Sequence, residues 1–232
     1  MLSIIIITKN EEKYLPKLLN SIKKQDFKDY EIIVSDAGST DKTVAIAEKF
    51  GCKVVKGGIP TVGRNNGAKH AKGDIFLFLD SDVIFPDNFL KKNFTDFIDR
   101  GLGIATCFQK PISNRLFDKI YCIVCDFILI LLSPFFPEAY GFCIFTRKDV
   151  FNKIKGFDTK VVMWDDHDYG VRASKVSKYG ILKKVKIMVS VRRFEKFGRF
   201  RTIVQGIISG LYRLFFGEIK DDRFKYSFEY KK

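Results

Sequence analysis

Leu2-Ser3-Ile4-Ile5-Ile6-Ile7-Thr8 is a continuous, largely β-branched apolar run of the kind that a parallel sheet buries on both faces. From Glu11 to Lys24 the residues Tyr14, Leu18 and Ile22 recur at helical spacing, so the chain opens strand, then helix. The alternation continues with Tyr30 to Asp36 as a strand, Asp41 to Phe50 as a helix and Cys52 to Lys56 as a strand; Gly63 to Lys72 follows as a helix and Asp74 to Leu79 as a fourth strand. This spacing predicts βαβ units with right-handed crossovers around a mostly parallel sheet, with ligands bound at the carboxyl ends of the strands.

After about residue 100 the regular alternation stops. Ile120 to Phe136 is nearly all apolar, interrupted by Asp126, Ser133 and Pro134. A spanning helix needs about 20 apolar residues, so the stretch reads as a core or interfacial helix. Gly141 to Thr146 then reads as a strand and Arg147 to Lys155 as a short helix; Asp165 to Tyr179 is a helix closed by Gly180, and Ile181 to Val191 a strand. The simplest division is one α/β domain over residues 1–190 and a C-terminal extension over 191–232.

The 232 residues are 46% hydrophobic and 29% charged, which excludes disorder, collagen and short disulfide scaffolds. The formal charge is +14, and residues 171–232 hold 17 Lys and Arg against 5 Asp and Glu, so nearly the whole excess lies in the last quarter. Such a balance points to phosphates, nucleic acid or an anionic membrane surface. The five cysteines lie mostly in apolar runs and fit a reducing, cytosolic setting. Cys122 and Cys125 form a Cys-x-x-Cys, but with no second pair and only two histidines a zinc site is not expected. The N-terminus has no basic region and too short an apolar stretch for a signal peptide.

Three acidic clusters fall at strand or helix ends. Asp36, closing the second strand before Ala37-Gly38-Ser39-Thr40-Asp41, can cap its own turn or accept a hydrogen bond from a base or ribose. Asp80-Ser81-Asp82 leaves the fourth strand as an Asp-x-Asp, whose hard oxygens suit Mg²⁺ or Mn²⁺ and, through the ion, a diphosphate leaving group. Asp165, Asp166 and Asp168 crowd the first turn of a helix with no basic neighbour. Like charges and partial burial raise a carboxylate's pKa, which suits a general base; His167 is the weaker candidate. Between the first two clusters, Gly63-Arg64-Asn65-Asn66-Gly67-Ala68 opens a helix with an Arg that can meet a phosphate or nucleobase or simply face solvent. Neither a dinucleotide Gly-x-Gly-x-x-Gly nor a Walker Gly-Lys-Ser occurs.

The ordered set resembles inverting family 2 glycosyltransferases of the GT-A fold, a Rossmann-like, mostly parallel α/β sheet flanked by helices. Five blocks carry the likeness: Thr8-Lys9-Asn10-Glu11, Asp36 to Asp41, Gly63 to Gly67, Ala71-Lys72-Gly73-Asp74 and Phe78-Leu79-Asp80-Ser81-Asp82. Gly141 to Arg147, Gly156-Phe157-Asp158 and Asp165 to Asp168 with Arg172 are similar to the acceptor-side segment, where Asp165 replaces the usual Glu. The resemblance implies Thr8 and Asp36 at the nucleobase with Asn10 and Glu11 beside them, Arg64 nearby, Asp80 toward ribose or metal, Asp82 on Mn²⁺ or Mg²⁺, and Asp166 as base. The implied reaction is in-line attack of an acceptor hydroxyl on a nucleotide sugar, with UDP-sugar as default donor and GDP-sugar as the alternative. The Gln-x-x-Arg-Trp of processive members is absent, which favours transfer of a single sugar.

From Lys196 to Phe216 apolar residues recur at helical spacing among Arg192, Arg193, Arg199, Arg201 and Arg213, a basic amphipathic helix. It reads either as a helix packed on the domain with a solvated cationic face or as a peripheral contact with an anionic membrane. The second reading implies a protein on the cytoplasmic face of the cell membrane and an acceptor such as a polyprenyl phosphate or lipid-linked glycan. Rival readings are a sugar-1-phosphate nucleotidyltransferase, a catalytically dead sugar-nucleotide scaffold and a basic nucleic-acid binder; the acidic strand ends argue against nucleic acid as a partner.

Overall fold

The computed structural model describes residues 1–221, 223 and 224. Strand β1 (Leu2–Thr8) pairs in parallel with β2 (Tyr30–Asp36) on one side and β4 (Ile75–Asp80) on the other, and Ile4, Ile5 and Ile6 are wholly buried. Successive side chains leave a strand on opposite faces. Ile4 and Ile6 accordingly pack with Leu15, Leu18, Leu19 and Ile22 of α1 (Leu15–Lys23), while Ile5 joins Phe76, Phe78 and Ala68 of α3 (Pro60–Lys69) in a second core.

Helix α2 (Thr43–Lys49) and strand β3 (Lys53–Lys56) complete this half, and α3 begins three residues before the expected Gly63 because Pro60 supplies its first turn. The sheet then continues beyond the expected alternation. β5 (Val83–Ile84), α4 (Phe89–Asp99) and β6 (Ile104–Pro111) precede α5 (Leu116–Leu132), and β7 (Cys143–Arg147), α6 (Lys148–Lys153), α7 (Asp165–Ser174) and β8 (Tyr179–Val189) follow. The eight strands lie in the order β3-β2-β1-β4-β7-β6-β8-β5. The sheet is mixed, since β7 runs antiparallel to both β4 and β6 and β5 antiparallel to β8.

Three expectations need correction. The strand–helix alternation does not stop near residue 100, for β6 lies between α4 and α5, where no strand was expected, and Ile104–Pro111 pairs in parallel with β8. Its first four residues are all buried, so it shows no alternation to read. Helix α7 ends at Ser174, and Gly180 does not close it; Gly180 lies in β8 opposite Ala105, pressed against Leu102. The C-terminal helix is two helices, α8 (Arg192–Phe197) and α9 (Arg199–Phe216), broken at Gly198, whose φ of +82° lies in the region that favours glycine.

The chain crosses from the β2–β3 side of β1 to the β4 side, so a crevice opens at the carboxyl ends of β1, β2 and β4, where Thr8, Asp36 and Asp80 stand. Gly57 closes its edge by donating its N–H to the Asp36 carbonyl at 2.7 Å. A Cβ there would lie 2.7 Å from the Asp36 carbonyl carbon and 2.8 Å from the Ser35 oxygen, both backbone. Gly57→Ala is expected to destabilise the fold by about 1–3 kcal/mol, as overpacking against an immovable wall does; urea unfolding measures it.

Candidate active site

The first acidic cluster is a clasp. The Asp36 carboxylate accepts from the Thr8 hydroxyl at 2.9 Å, the Ser39 hydroxyl at 2.6 Å and the Gly38 and Ser39 N–H groups at 3.0 and 2.8 Å. A carboxylate has about four acceptor positions, and the turn occupies them. Asn10, with φ of +56°, accepts from the Thr40 N–H at 2.8 Å while its own N–H donates to the Ser39 hydroxyl, so the ends of β1 and β2 are laced together.

Arg64 reaches from α3 into the centre and is 4% exposed. Its guanidinium donates to Asp165 at 2.6 Å, Asp80 at 3.1 Å and the Gly141 carbonyl at 3.3 Å. The acidic helix start therefore does have basic neighbours, contrary to the sequence reading: Arg64 holds Asp165, and Arg172 pairs with Asp168 at 2.7 Å. Burial nevertheless pushes the Asp165 carboxyl up; Arg64 opposes this, and Asp166 and Asp80 add to it. Asp166 accepts from the backbone N–H of Gly141 at 2.6 Å and of His167 at 3.0 Å. His167 turns away, with Nδ1 2.6 Å from Glu138, which also pairs with Arg213 of α9 at 2.8 Å. Burial would lower the imidazole's pKa, but Asp166 and Glu138 outweigh it and raise it. Trp164, at φ +64°, caps α7 with its ring edge-on to His167 and donates its indole N–H to Ser209 of α9 at 3.0 Å.

Asp82 sits in a second ionic group that sequence reading missed. Arg192, the first residue of α8, makes two hydrogen bonds to Glu11 at 2.7 and 2.8 Å, pairs with Asp82 at 2.8 Å and lies over the Tyr14 ring. Its partner Glu11 lies 181 residues away, so no local pattern marks it. Burial pushes the Asp82 carboxyl up to about 6; Arg192 pulls it down, and Asp80 and Glu11 push it further up. Asp80 is the open member of the Asp-x-Asp, its side chain 39% exposed.

Among the described residues no three His, Cys, Asp or Glu side chains converge on one point. A Mg²⁺ or Mn²⁺ ion bound with substrate phosphates and waters needs only one or two carboxylates. The donor set of Asp80 and Asp82, mutually repelling and hard, fits such an ion.

The chain belongs to glycosyl transferase family 2, whose model matches residues 3–154. The poly(ribitol-phosphate) beta-N-acetylglucosaminyltransferase TarS of Staphylococcus aureus is 42% identical over 90 residues, 34% of this chain and 16% of that protein. The GalNAc(5)-diNAcBac-PP-undecaprenol beta-1,3-glucosyltransferase of Campylobacter jejuni is 40% identical over 91 residues, 35% of this chain and 29% of that protein. The match thus spans less than a third of either relative's length. Among solved structures, S. aureus TarS 1-349 in complex with UDP-GlcNAc superposes with a TM-score of 0.66 at 24% identity, over 82% of this chain and 58% of that one. The mannosyltransferase PcManGT from Pyrobaculum calidifontis, in complex with GDP-Man and Mn²⁺, gives 0.66 at 20%, over 81% and 56%. The chain carries a glycosyltransferase domain, and its fold is GT-A.

Arg192→Met leaves Glu11 and Asp82 buried together without their cation, and a loss of about 3–5 kcal/mol at pH 7 is expected. The sign with pH follows from Asp82. A carboxyl raised to about 6 in the fold binds a proton there before the unfolded chain does, so acid relieves the repulsion and the loss shrinks at about pH 5. Chemical denaturation at the two pH values, with Glu11→Gln as the partner in a double-mutant cycle, checks both points.

Proposed function

We propose that the protein is a metal-dependent, inverting glycosyltransferase that moves one sugar from a nucleoside diphosphate sugar to an acceptor hydroxyl or phosphate. The observation that carries this reading is the Arg64 bracket. One buried cation draws Asp80, from the end of β4, and Asp165, beside Asp166 at the start of α7, to the crevice where Thr8 and Asp36 end their strands. In a GT-A domain that crevice is the donor's place.

Thr8, Asn10, Glu11 and Asp36 form the nucleoside end, with Arg64 and Asp80 next to it. The clasp around Asp36 presents a base with a preset edge; the Thr8 and Ser39 hydroxyls are the side-chain donors there, and rotation of either releases an oxygen. Asp82 and Asp80 are the residues that hold Mn²⁺ or Mg²⁺, and the ion supplies charge neutralisation to the departing diphosphate. Asp166, oriented by two backbone N–H groups, takes the proton of the acceptor hydroxyl as its oxygen bonds to the anomeric carbon from the face opposite the leaving group. The bond from that carbon to the nucleoside diphosphate breaks, and the configuration inverts. General-base help of this kind is worth about 10²- to 10⁴-fold. UDP-sugar is the default donor and GDP-sugar the alternative, which the TarS and PcManGT complexes respectively support. The undecaprenol-linked substrate in the Campylobacter relative's name supports a polyprenyl-linked acceptor.

Calorimetric titration with UDP, GDP and dTDP, each with and without Mn²⁺, tests the donor site. Binding is expected with one base preferred, strengthened by Mn²⁺, and stripped of its Mn²⁺ dependence in Asp82→Ala. No binding of any nucleotide under any condition overturns the reading. Asp166→Asn is expected to retain nucleotide binding and lose about 10²-fold or more in transfer rate. Because the metal needs the deprotonated Asp82, its affinity should fall about tenfold per pH unit below about 6.

A further inference from the structure

A helix on the surface of a water-soluble domain turns its apolar stripe inward. Helices α5 and α9 do the reverse. The only acids between residues 112 and 137 are Asp118 and Asp126; both are buried, paired with Arg199 and Lys186. The rest of α5 shows apolar side chains outward, with Phe127 62% exposed. Helix α9 has no acid at all. Its arginines 199 and 213 point inward, to Asp118 and to Glu138 and Glu218, and Ser209 is buried against Trp164. Phe200 and Phe215 stand 83% and 74% exposed. Part of the helix's charge, Arg199 and Arg213, thus anchors it from beneath, while Arg201 stays exposed.

Of the 23 exposed large apolar side chains among the described residues, 17 lie on these two helices and two more, Phe135 and Phe136, just past the end of α5, so the exposure is a concentrated surface and not the usual scatter. The two helices are tied at their first turns by Arg199 and Asp118 and, past the end of α5, by Arg213 and Glu138, so their outward faces adjoin. The exposed charges among them are cationic: Arg115, Lys119 and Arg201. No helix of the described residues is long and apolar enough to cross a membrane, and the inward ion pairs hold both helices flat on the domain.

We propose that the outward faces of α5 and α9 dock in the interfacial layer of an anionic lipid bilayer, lying in its plane. A second copy of the chain is the competing occupant, but a self-complementary contact would bring the same cations against themselves. An anionic headgroup layer complements them, at about fivefold in affinity per cation near the surface. The seam of Arg213, Glu138 and His167 then sets the base-bearing end of α7 close behind the docked face. This inference goes beyond the transfer reaction and does not rest on it.

The full chain is floated with phosphatidylcholine vesicles and with vesicles that also contain phosphatidylglycerol, at low and high salt. Flotation with the anionic vesicles, weakened by salt, is expected. Phe127→Ser with Phe215→Ser should lower the partition coefficient at least about tenfold, with circular dichroism and nucleotide binding unchanged. Lys119→Glu with Arg201→Glu, which alters only exposed charge, should remove the preference for anionic lipid and so tests the proposal should the first pair not fold. The proposal is overturned if the wild type floats with neither vesicle, floats equally with both, or is a dimer by light scattering that the Phe127 and Phe215 changes dissociate.

Discussion

Arg64 is the constraint on which the rest depends. It is a permanent cation with 4% of its surface in water, a placement that is costly unless every charge around it is answered. The answers come from Asp80, 16 residues on, the Gly141 carbonyl, 77 on, and Asp165, 101 on. A half of the domain that buries Arg64 without the other would leave it unpaired. The two halves of the sheet, joined across β4 and β7, are therefore obliged to close together, and the crevice at the strand ends forms as they do.

The C-terminal segment obeys the same electrostatics in a different place. Arg192, Arg199 and Arg213 each meet an acid of the α/β domain or its loops, and each pair joins residues far apart in sequence. Matched charge beneath and apolar surface above is the reverse of what water selects. The charge that composition counts as a basic tail is thus partly spent on attachment, leaving a smaller set of exposed cations at the edge of a greasy face.

The first half of the fold was legible because the central parallel strand, buried on both faces, writes itself as an unbroken β-branched run: Leu2–Thr8 stands as read, as does Tyr30–Asp36 with its Ile-Ile-Val centre, and Lys53–Lys56 lies within one residue of its expected start. β6 was not, because burial of Ile104 to Cys107 within a mixed run containing Thr106 and Gln109 leaves neither alternation nor a solid apolar block. Gly180 misled because a glycine after a helix ordinarily ends it, whereas here it lets β8 pass Leu102 closely. In the site, Asp36, Asp80, Asp82 and Asp166 were found as acids at element ends, a local property. Glu11's partner Arg192 and the Glu138–His167–Arg213 seam are long-range pairings, and nothing in the neighbouring residues announces them.

Trp164 is the only tryptophan in the chain. It stands where α7 meets α9, its indole N–H on Ser209 and its ring 4.5 Å from the imidazole of His167, within three residues of Asp165 and Asp166. The molecule therefore carries a single indole fluorophore, excitable apart from its nine tyrosines at longer wavelength, at the joint between its outward apolar helix and its acidic cleft. Its emission reads the polarity of that joint without a label, and a protonated imidazole at that distance is placed to quench it.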